Sequence, residues 1–413
     1  MTSLIRIFIF LFYWIPQLSA CSGPAEINPE RTEVRTGAEV LLERYLDEME
    51  GLRVGLVMNP TARIGSTHLL DTLLAEGVNI TALFAPEHGF RGEAGAGEII
   101  EDGVDQASGL PVFSLYGSTR KPTGEMLKYV DLLIFDMQDV GARFYTYIAT
   151  LGLVLEAAAE HRVPVWILDR PNPAGGDFVS GWILEEEFIS FVGPFPIPIA
   201  HGLTMGELAA MMTGERWIEF ENPPVIRVVE MEGWRREMKW PDTGLNWVPP
   251  SPNLPAFEHA FVYLGTVFYE GTSLSEGRGT TDPFLTIGDP GTRLTPDQLE
   301  RLKAVSESLR IDEISFTPVS IPGVAPAPKH ENRLSNGIRI SVSDFGFDPV
   351  KAGLEIFTLM LDATDEYELR NFLYLLAGTR EIDRLISGEL SAKDLDFQLE
   401  PFLESRSHYL LYP

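Results

Sequence analysis

Leu132-Leu-Ile-Phe-Asp-Met-Gln-Asp139 is an apolar run, short enough for one strand, that breaks off into two acids and an amide. An uninterrupted apolar run of this length fits a strand buried on both faces, as strands of parallel sheets are. Four other stretches repeat the pattern. Val54-Gly-Leu-Val-Met58 runs into Asn59-Pro60, and Ile80-Thr-Ala-Leu-Phe-Ala85 into Pro86-Glu-His-Gly89. Val112-Phe-Ser-Leu115 meets Tyr116-Gly117, and Val165-Trp-Ile-Leu168 meets Asp169-Arg-Pro-Asn172. Helical patterns lie between most of them, which gives β-α-β order and an α/β fold built on a largely parallel sheet. Ligands of such sheets bind beyond the carboxyl ends of the strands. All five polar clusters are therefore expected at one crevice.

The remaining segments are read from periodicity and caps. An amphipathic helix opens near Val40, and Ser66 is expected to cap a helix over residues 67–76. Residues 122–129 and 145–161 read as helices, and Thr204 with Glu207 forms a capping box for a helix over 204–212. Gly193-Pro-Phe-Pro-Ile-Pro-Ile199 carries too many prolines for a central strand and reads as a surface or crevice wall. The proline-rich Trp247-Val-Pro-Pro-Ser-Pro-Asn-Leu-Pro255 is the expected domain junction. Beyond it, 260–268 fits a strand or a helix. Helices are expected over 295–309, 349–361 and 369–390, with a strand over 337–342.

The amino terminus reads as a leader. Arg6 precedes an apolar stretch over residues 7–15, too short for an ordinary membrane span. Leu18-Ser-Ala-Cys21 resembles the lipobox of bacterial lipoproteins. That resemblance implies a signal peptide over 1–20, lipidation of Cys21 and a polar tether over 21–35. The product would be exported and held at a membrane by its lipid alone, in a periplasmic or outer-membrane setting. Cys21 is the only cysteine, so the fold is expected to rest on its core without disulfides. A net charge of −28 argues against nucleic acid as a partner, because phosphate contacts require a basic face. Oligomeric state has no signature in the sequence.

Chemistry is expected at the strand ends. Glu87, beside Phe84 and Phe90, is placed for the raised pKa that a general acid at neutral pH requires. His88 can orient it or touch substrate, and the glycine-rich 92–97 segment reads as a flap. Asp136 stands where its strand leaves the sheet, and Gln138 and Asp139 follow it. Asp139 is equally an N-cap. Arg143 offers a planar fork to either acid or to a substrate carboxylate. Asp169 and Asn172 occupy a proline-stiffened strand exit, and His201 precedes a capped helix. Glu270 and Arg278, among glycines, form a loop from beyond the junction that can close over the crevice. Tyr116 is a core residue or a face for a sugar ring. Walker A, Gly-x-Ser-x-Gly and His-Glu-x-x-His motifs are absent. His88, Asp136 and Asp139 can be combined as metal ligands, but no spacing requires it, so neither metal nor another cofactor is expected.

Pro86-Glu-His-Gly89, Ser114-Leu-Tyr-Gly117, Asp136-Met-Gln-Asp-Val-Gly-Ala-Arg-Phe-Tyr-Thr-Tyr147 and Asp169-Arg-Pro-Asn-Pro173 occur in order. His201-Gly-Leu-Thr204, Met231-Glu-Gly-Trp234, Trp247-Val-Pro-Pro-Ser-Pro-Asn253, Glu270-Gly-Thr272 and Gly277-Arg-Gly-Thr-Thr281 follow. This ordered set resembles the NamZ-type exo-β-N-acetylmuramidases, glycosidases of peptidoglycan recycling. The resemblance implies a Rossmann-like catalytic domain over 36–255, a smaller α/β domain over 256–413 and a site in the cleft between them. It implies removal of non-reducing terminal N-acetylmuramic acid from peptidoglycan fragments, with Glu87 as the catalytic glutamate. Asp136 and Glu270 are the candidates for a second catalytic group, with the substrate's own 2-acetamido group as an alternative. His88, Tyr116, Gln138, Asp139, Arg143, Asp169, Asn172, His201 and Arg278 are the candidate substrate contacts. The competing readings are a non-catalytic muropeptide-binding lipoprotein and a metal-assisted hydrolase of another class.

Overall fold

Alternation along the apolar runs sends successive side chains to opposite faces of one sheet, and both faces are covered. Leu56, Leu132 and Ile134 pack on one side with Val40 and Leu41 of the helix Gly37–Arg44 and Leu70 and Leu73 of the helix Leu69–Ala75. Val57, Leu133 and Phe135 pack on the other with the helices Tyr147–His161 and Met205–Gly214. This computed structural model describes residues 33–92, 98 and 101–413. The signal peptide, Cys21, nearly all of the tether and positions 93–97 of the glycine-rich segment lie outside the described residues.

In chain order the strands are β1 (Val54–Met58), β2 (Arg63–Ile64), β3 (Thr67–His68), β4 (Ile80–Ala85), β5 (Gly103–Val104) and β6 (Pro111–Ser114). They continue as β7 (Leu132–Asp136), β8 (Val165–Leu168), β9 (Ile226–Val229), β10 (Thr286–Asp289), β11 (Leu309–Phe316) and β12 (Ser335–Val342). Seven of them form a sheet in the order β5-β6-β4-β1-β7-β8-β9, parallel except for β5 at one edge. The chain builds outward from β1 through β4 and β6, then crosses to β7, β8 and β9 on the other side. That reversal at β1 is a topological switch point.

The second, smaller domain carries an antiparallel sheet in the order β10-β12-β11, with the helices Phe257–Thr266 and Pro349–Asp362 packed on each other. These two helices cross closely at glycines: a Cβ on Gly265 would lie 2.8 Å from the Cα of Gly353. Phe261, Ile287, Ile338 and Leu354 of this domain belong to the same apolar cluster as Phe135 and Leu151 of the first. Among the described residues no helix is long and apolar enough to cross a membrane.

Several local expectations are corrected. Ser66 does not cap the helix, because a two-residue hairpin of β2 and β3 intervenes and His68 takes the N-cap position. The helix capped by Thr295 stops at Lys303, and β11 takes over from Leu309. The expected helix over 369–390 is two helices, Asn371–Ala377 and Glu381–Ile386, separated at Gly378 (φ 73°).

Candidate active site

β4 delivers its exit residues to a cleft of about 570 Å³ at the carboxyl end of the sheet. Pro86 ends the strand, and Gly89 N–H closes a turn onto the Pro86 carbonyl at 3.1 Å. His88 (φ 73°) and Gly89 (φ 79°) are both left-handed. A non-glycine residue there costs energy that the surrounding structure must supply, a feature that clusters at functional sites. His88 is buried, while Glu87 is half-buried and lines the cleft.

The Glu87 carboxylate is held from two directions. Thr146 Oγ1 donates to Glu87 Oε2 at 2.7 Å. Thr146 is the N-cap residue of the helix Tyr147–His161, yet its side chain makes no capping bond, so its hydroxyl is committed to Glu87. The helix amino terminus beside it also favours negative charge. From the exit of β6, Tyr116 hydrogen-bonds with Glu87, and burial together with that neighbouring acid pushes its phenol up, so it remains a donor. Tyr147 donates to the Pro250 carbonyl at 2.8 Å and sits 3.5 Å from the Glu87 carbonyl.

The second domain supplies the opposite wall. Arg278 Nη2 lies 2.5 Å from Glu270 Oε1, and its Nε is 3.4 Å from Glu276 Oε1. Lys329 Nζ lies 2.8 Å from Glu276 Oε2 and donates to the carbonyls of Tyr269 and Leu274. Two acids and two bases thus alternate along this wall. Burial raises the Glu270 carboxyl against the pull of Arg278. At Glu276 burial acts the same way, but Lys329 and Arg278 outweigh it and hold the carboxyl low. Arg278 also packs over the Phe284 ring, its guanidinium carbon 5.1 Å from the centroid. Tyr263 and Tyr145 stand between the two walls, both lining the cleft.

Of the residues singled out from sequence, Glu87, His88, Tyr116, Glu270 and Arg278 meet in this cleft, and the others do not line it. Asp136 is fully buried and paired in a bidentate fork with Arg170, at 2.5 and 2.9 Å, so it is not available as a second catalytic group at the cleft. That pairing also dissolves the metal set drawn from His88, Asp136 and Asp139. Among the described residues no group of three or more His, Cys, Asp or Glu is placed to hold a metal ion. Among the described residues Arg143 pairs with no carboxylate. It is fully buried and donates to the carbonyls of Trp182, Ile197, Leu376 and Ala377, stapling the two domains together.

Asp169 is fully buried and accepts from Thr204 Oγ1, Gly206 N–H and the Tyr412 hydroxyl; burial pushes its carboxyl up to about 7 despite these donors. Asn172 donates to the Leu203 carbonyl and accepts from Ala174 N–H. Gln138 donates to the carbonyls of Asp139 and Pro171. Asp139 accepts from Gly141 N–H, and its Oδ2 lies 3.7 Å from His201 Nε2. His201 Nδ1 accepts from Leu203 N–H. These five residues shape loops behind the cleft. Thr146, Glu276, Lys329, Arg120 and Phe191 line the cleft without having been singled out. For Thr146 a signal existed: a hydroxyl at a helix start, inside the same motif as the acids.

Two family models divide the chain: exo-beta-N-acetylmuramidase NamZ, N-terminal, over residues 54–258, and exo-beta-N-acetylmuramidase NamZ, C-terminal, over 261–412. The peptidoglycan beta-N-acetylmuramidase NamZ of Bacillus subtilis strain 168 is 40% identical over 418 residues, 98% of this chain and 97% of that protein. Crystal structures of two DUF1343 family proteins of Bacteroides fragilis are similar, with TM-scores of 0.79 and 0.76. Each is 34% identical and covers 92% of this chain and 99% of its own.

Proposed function

The chain belongs to the exo-beta-N-acetylmuramidase NamZ family and is a glycosidase, and from that premise we propose that Glu87 is its general acid. The substrate is a peptidoglycan fragment whose non-reducing end is β-linked N-acetylmuramic acid, and the terminal sugar sits in the cleft between the two domains. The observation that carries this reading is the Glu87 carboxylate at the exit of β4, aimed into the cleft and fixed by the Thr146 hydroxyl.

Glu87 gives a proton to the glycosidic oxygen as the C1–O bond breaks, the donors around it steady the carboxylate that results, and the sugar, which develops oxocarbenium character, is captured by water. With Asp136 tied to Arg170, Glu270 is the carboxylate on the facing wall that can steady this charge. The 2-acetamido oxygen of the muramoyl residue is the alternative source of that stabilisation. Arg278 and Lys329, each paired with a glutamate of the same wall, are cations that line the cleft and can turn N–H donors toward the lactyl carboxylate.

The test is release of nitrophenol from para-nitrophenyl β-N-acetylmuramide, with the N-acetylglucosaminide as control. The expected outcome is turnover of the muramide alone, reduced about 10²- to 10⁴-fold in Glu87→Gln. Tight muropeptide binding with no turnover by the folded wild-type protein would instead mark a binding protein.

A further inference from the structure

The cleft does not end at Tyr116. Arg120 and Phe191 line it, and both also line a second cavity of about 600 Å³ on the side away from Glu270. Glu270, Arg278, Tyr263, Glu87 and Tyr116 line this cleft together, and Glu87 hydrogen-bonds with Tyr116. The Tyr116 ring lies 6.1 Å from that of Phe191, over which Arg120 sits at 4.2 Å. Past them, the floor is the face of the helix Tyr147–His161 that carries Gly152, together with Phe195 and Trp217. Gly152 has a reason to sit inside a helix, where glycine costs about 1 kcal/mol. A Cβ there would lie 2.7 Å from the Phe195 ring. Phe195 seats against that gap, and Trp217 stacks on it at 5.7 Å and 18°.

The rim of this groove is polar, formed by Ser118, Arg120, Ser190 and a Lys121 paired with Glu156 and Glu160. Ile189 stands beside it, 53% exposed. An aromatic floor with a polar rim matches a sugar ring, which offers a face of C–H groups and an edge of hydroxyls. An exo-acting glycosidase needs one closed end for the terminal sugar and one open path for the chain that leaves. The end built from Glu270, Arg278 and Lys329 is walled by ion pairs that are largely withdrawn from solvent, with side chains 5–20% exposed. The open path runs past Arg120 and Phe191.

We propose that the groove floored by Gly152, Phe195 and Trp217 binds the leaving-side saccharide, the N-acetylglucosamine next to the scissile bond and the sugars that follow it. The inference rests on the Glu87 cleft being the site of hydrolysis. It makes Trp217 and Phe191 determinants of glycan length rather than of the terminal sugar.

The test compares kcat/KM for the nitrophenyl muramide, the disaccharide muramoyl-N-acetylglucosamine, and peptide-free glycans of four and six sugars ending in N-acetylmuramic acid. In the wild type, kcat/KM is expected to rise about tenfold from the disaccharide to the longer glycans, a gain of the size of one good aromatic contact. Trp217→Ala removes that rise. Ser118→Trp, which fills the groove from an exposed position, removes it independently, should loss of Trp217 disturb folding. A flat length dependence in the wild type, or a rise that survives both substitutions, overturns the proposal. A rise that appears only when the glycan carries stem peptides overturns it in favour of peptide recognition. If neither the nitrophenyl muramide nor the disaccharide is cleaved, or if Glu87→Gln cleaves them as the wild type does, the Glu87 reading fails and takes the groove with it; if Glu87 is required but the rate is independent of length, the groove alone fails.

Discussion

The two sides of β1 use the same sequence grammar for opposite ends. On one side, β4 and β6 release Glu87 and Tyr116 into an open cleft. On the other, β7 and β8 release Asp136 and Asp169 into packed protein, where each is fully buried. Every one of these residues follows an apolar strand at the carboxyl edge of the sheet. What separates them is the covering. The second domain stands off from the Glu87 side and leaves a gap. Arg170, Thr204 and the carboxyl-terminal Tyr412 close over the other side with direct hydrogen bonds. A strand-end acid in a doubly covered sheet is thus open to a cleft or a structural tie according to what the rest of the chain lays over it.

Disturbing the closed side is the strongest way to break this contrast. Arg170→Met leaves Asp136 buried without its partner, and loss of one member of a buried pair costs about 3–5 kcal/mol. Urea unfolding is expected to show that loss, while the molecules that remain folded still cleave the nitrophenyl muramide. The double variant Arg170→Met/Asp136→Leu removes both charges and should recover most of the stability. If the single variant instead lost activity at unchanged stability, Asp136 would belong with Glu87 and the distinction between the two sides would fall.

Asp169 gives a pH signature to the same closed side. Its carboxyl in the folded protein is pushed up to about 7, whereas an unfolded aspartate titrates near about 4. Between those values the folded state binds the extra proton. Its contribution to stability is therefore complete below about pH 4 and is lost as pH rises to about 7, with a slope of at most about 1.4 kcal/mol per pH unit. Unfolding free energies measured between pH 4 and 8 should show this decline, and Asp169→Asn should flatten it. A decline unchanged in the variant would assign the proton elsewhere.

The contrast also marks where reading a sequence stops. β1, β4, β7 and β8 were legible because each is an almost wholly buried, mainly apolar run with a polar break at its end. β9 was not, because an edge strand with exposed Arg227 lacks that signature. β11 was hidden behind a well-capped helix that stops sooner than its pattern suggests. At the site, Glu87, Tyr116, Glu270 and Arg278 were found because motif position alone brought them to the cleft. Asp136 and Asp169 misled because position in a strand is local, while their partners lie 34 and 243 residues away in the chain. Arg143 misled for a related reason: its guanidinium serves carbonyls more than two hundred residues distant. Lys329 and Glu276 carried no local signal, since each matters through the other and through Arg278.

Thr146 offers the smallest expected effect and tests the open side most directly. Its hydroxyl holds Glu87 Oε2 at 2.7 Å and does no capping, so Thr146→Val keeps the shape while removing one donor from a carboxylate. A hydrogen bond to a charged group is worth about 1.5–3 kcal/mol, and Tyr116 remains to hold Glu87, so a loss near the lower bound is expected. That corresponds to a fall of about tenfold in kcat/KM on the nitrophenyl muramide, with unfolding free energy changed by less than about 1 kcal/mol. Thr146→Ser should restore the rate, because it returns the donor. A purely structural role would give a different pattern, with stability and activity falling together and serine rescuing neither. The separation of the two readouts therefore decides whether the helix start at Thr146 is a support for the fold or a clamp on the acid that the cleft exposes.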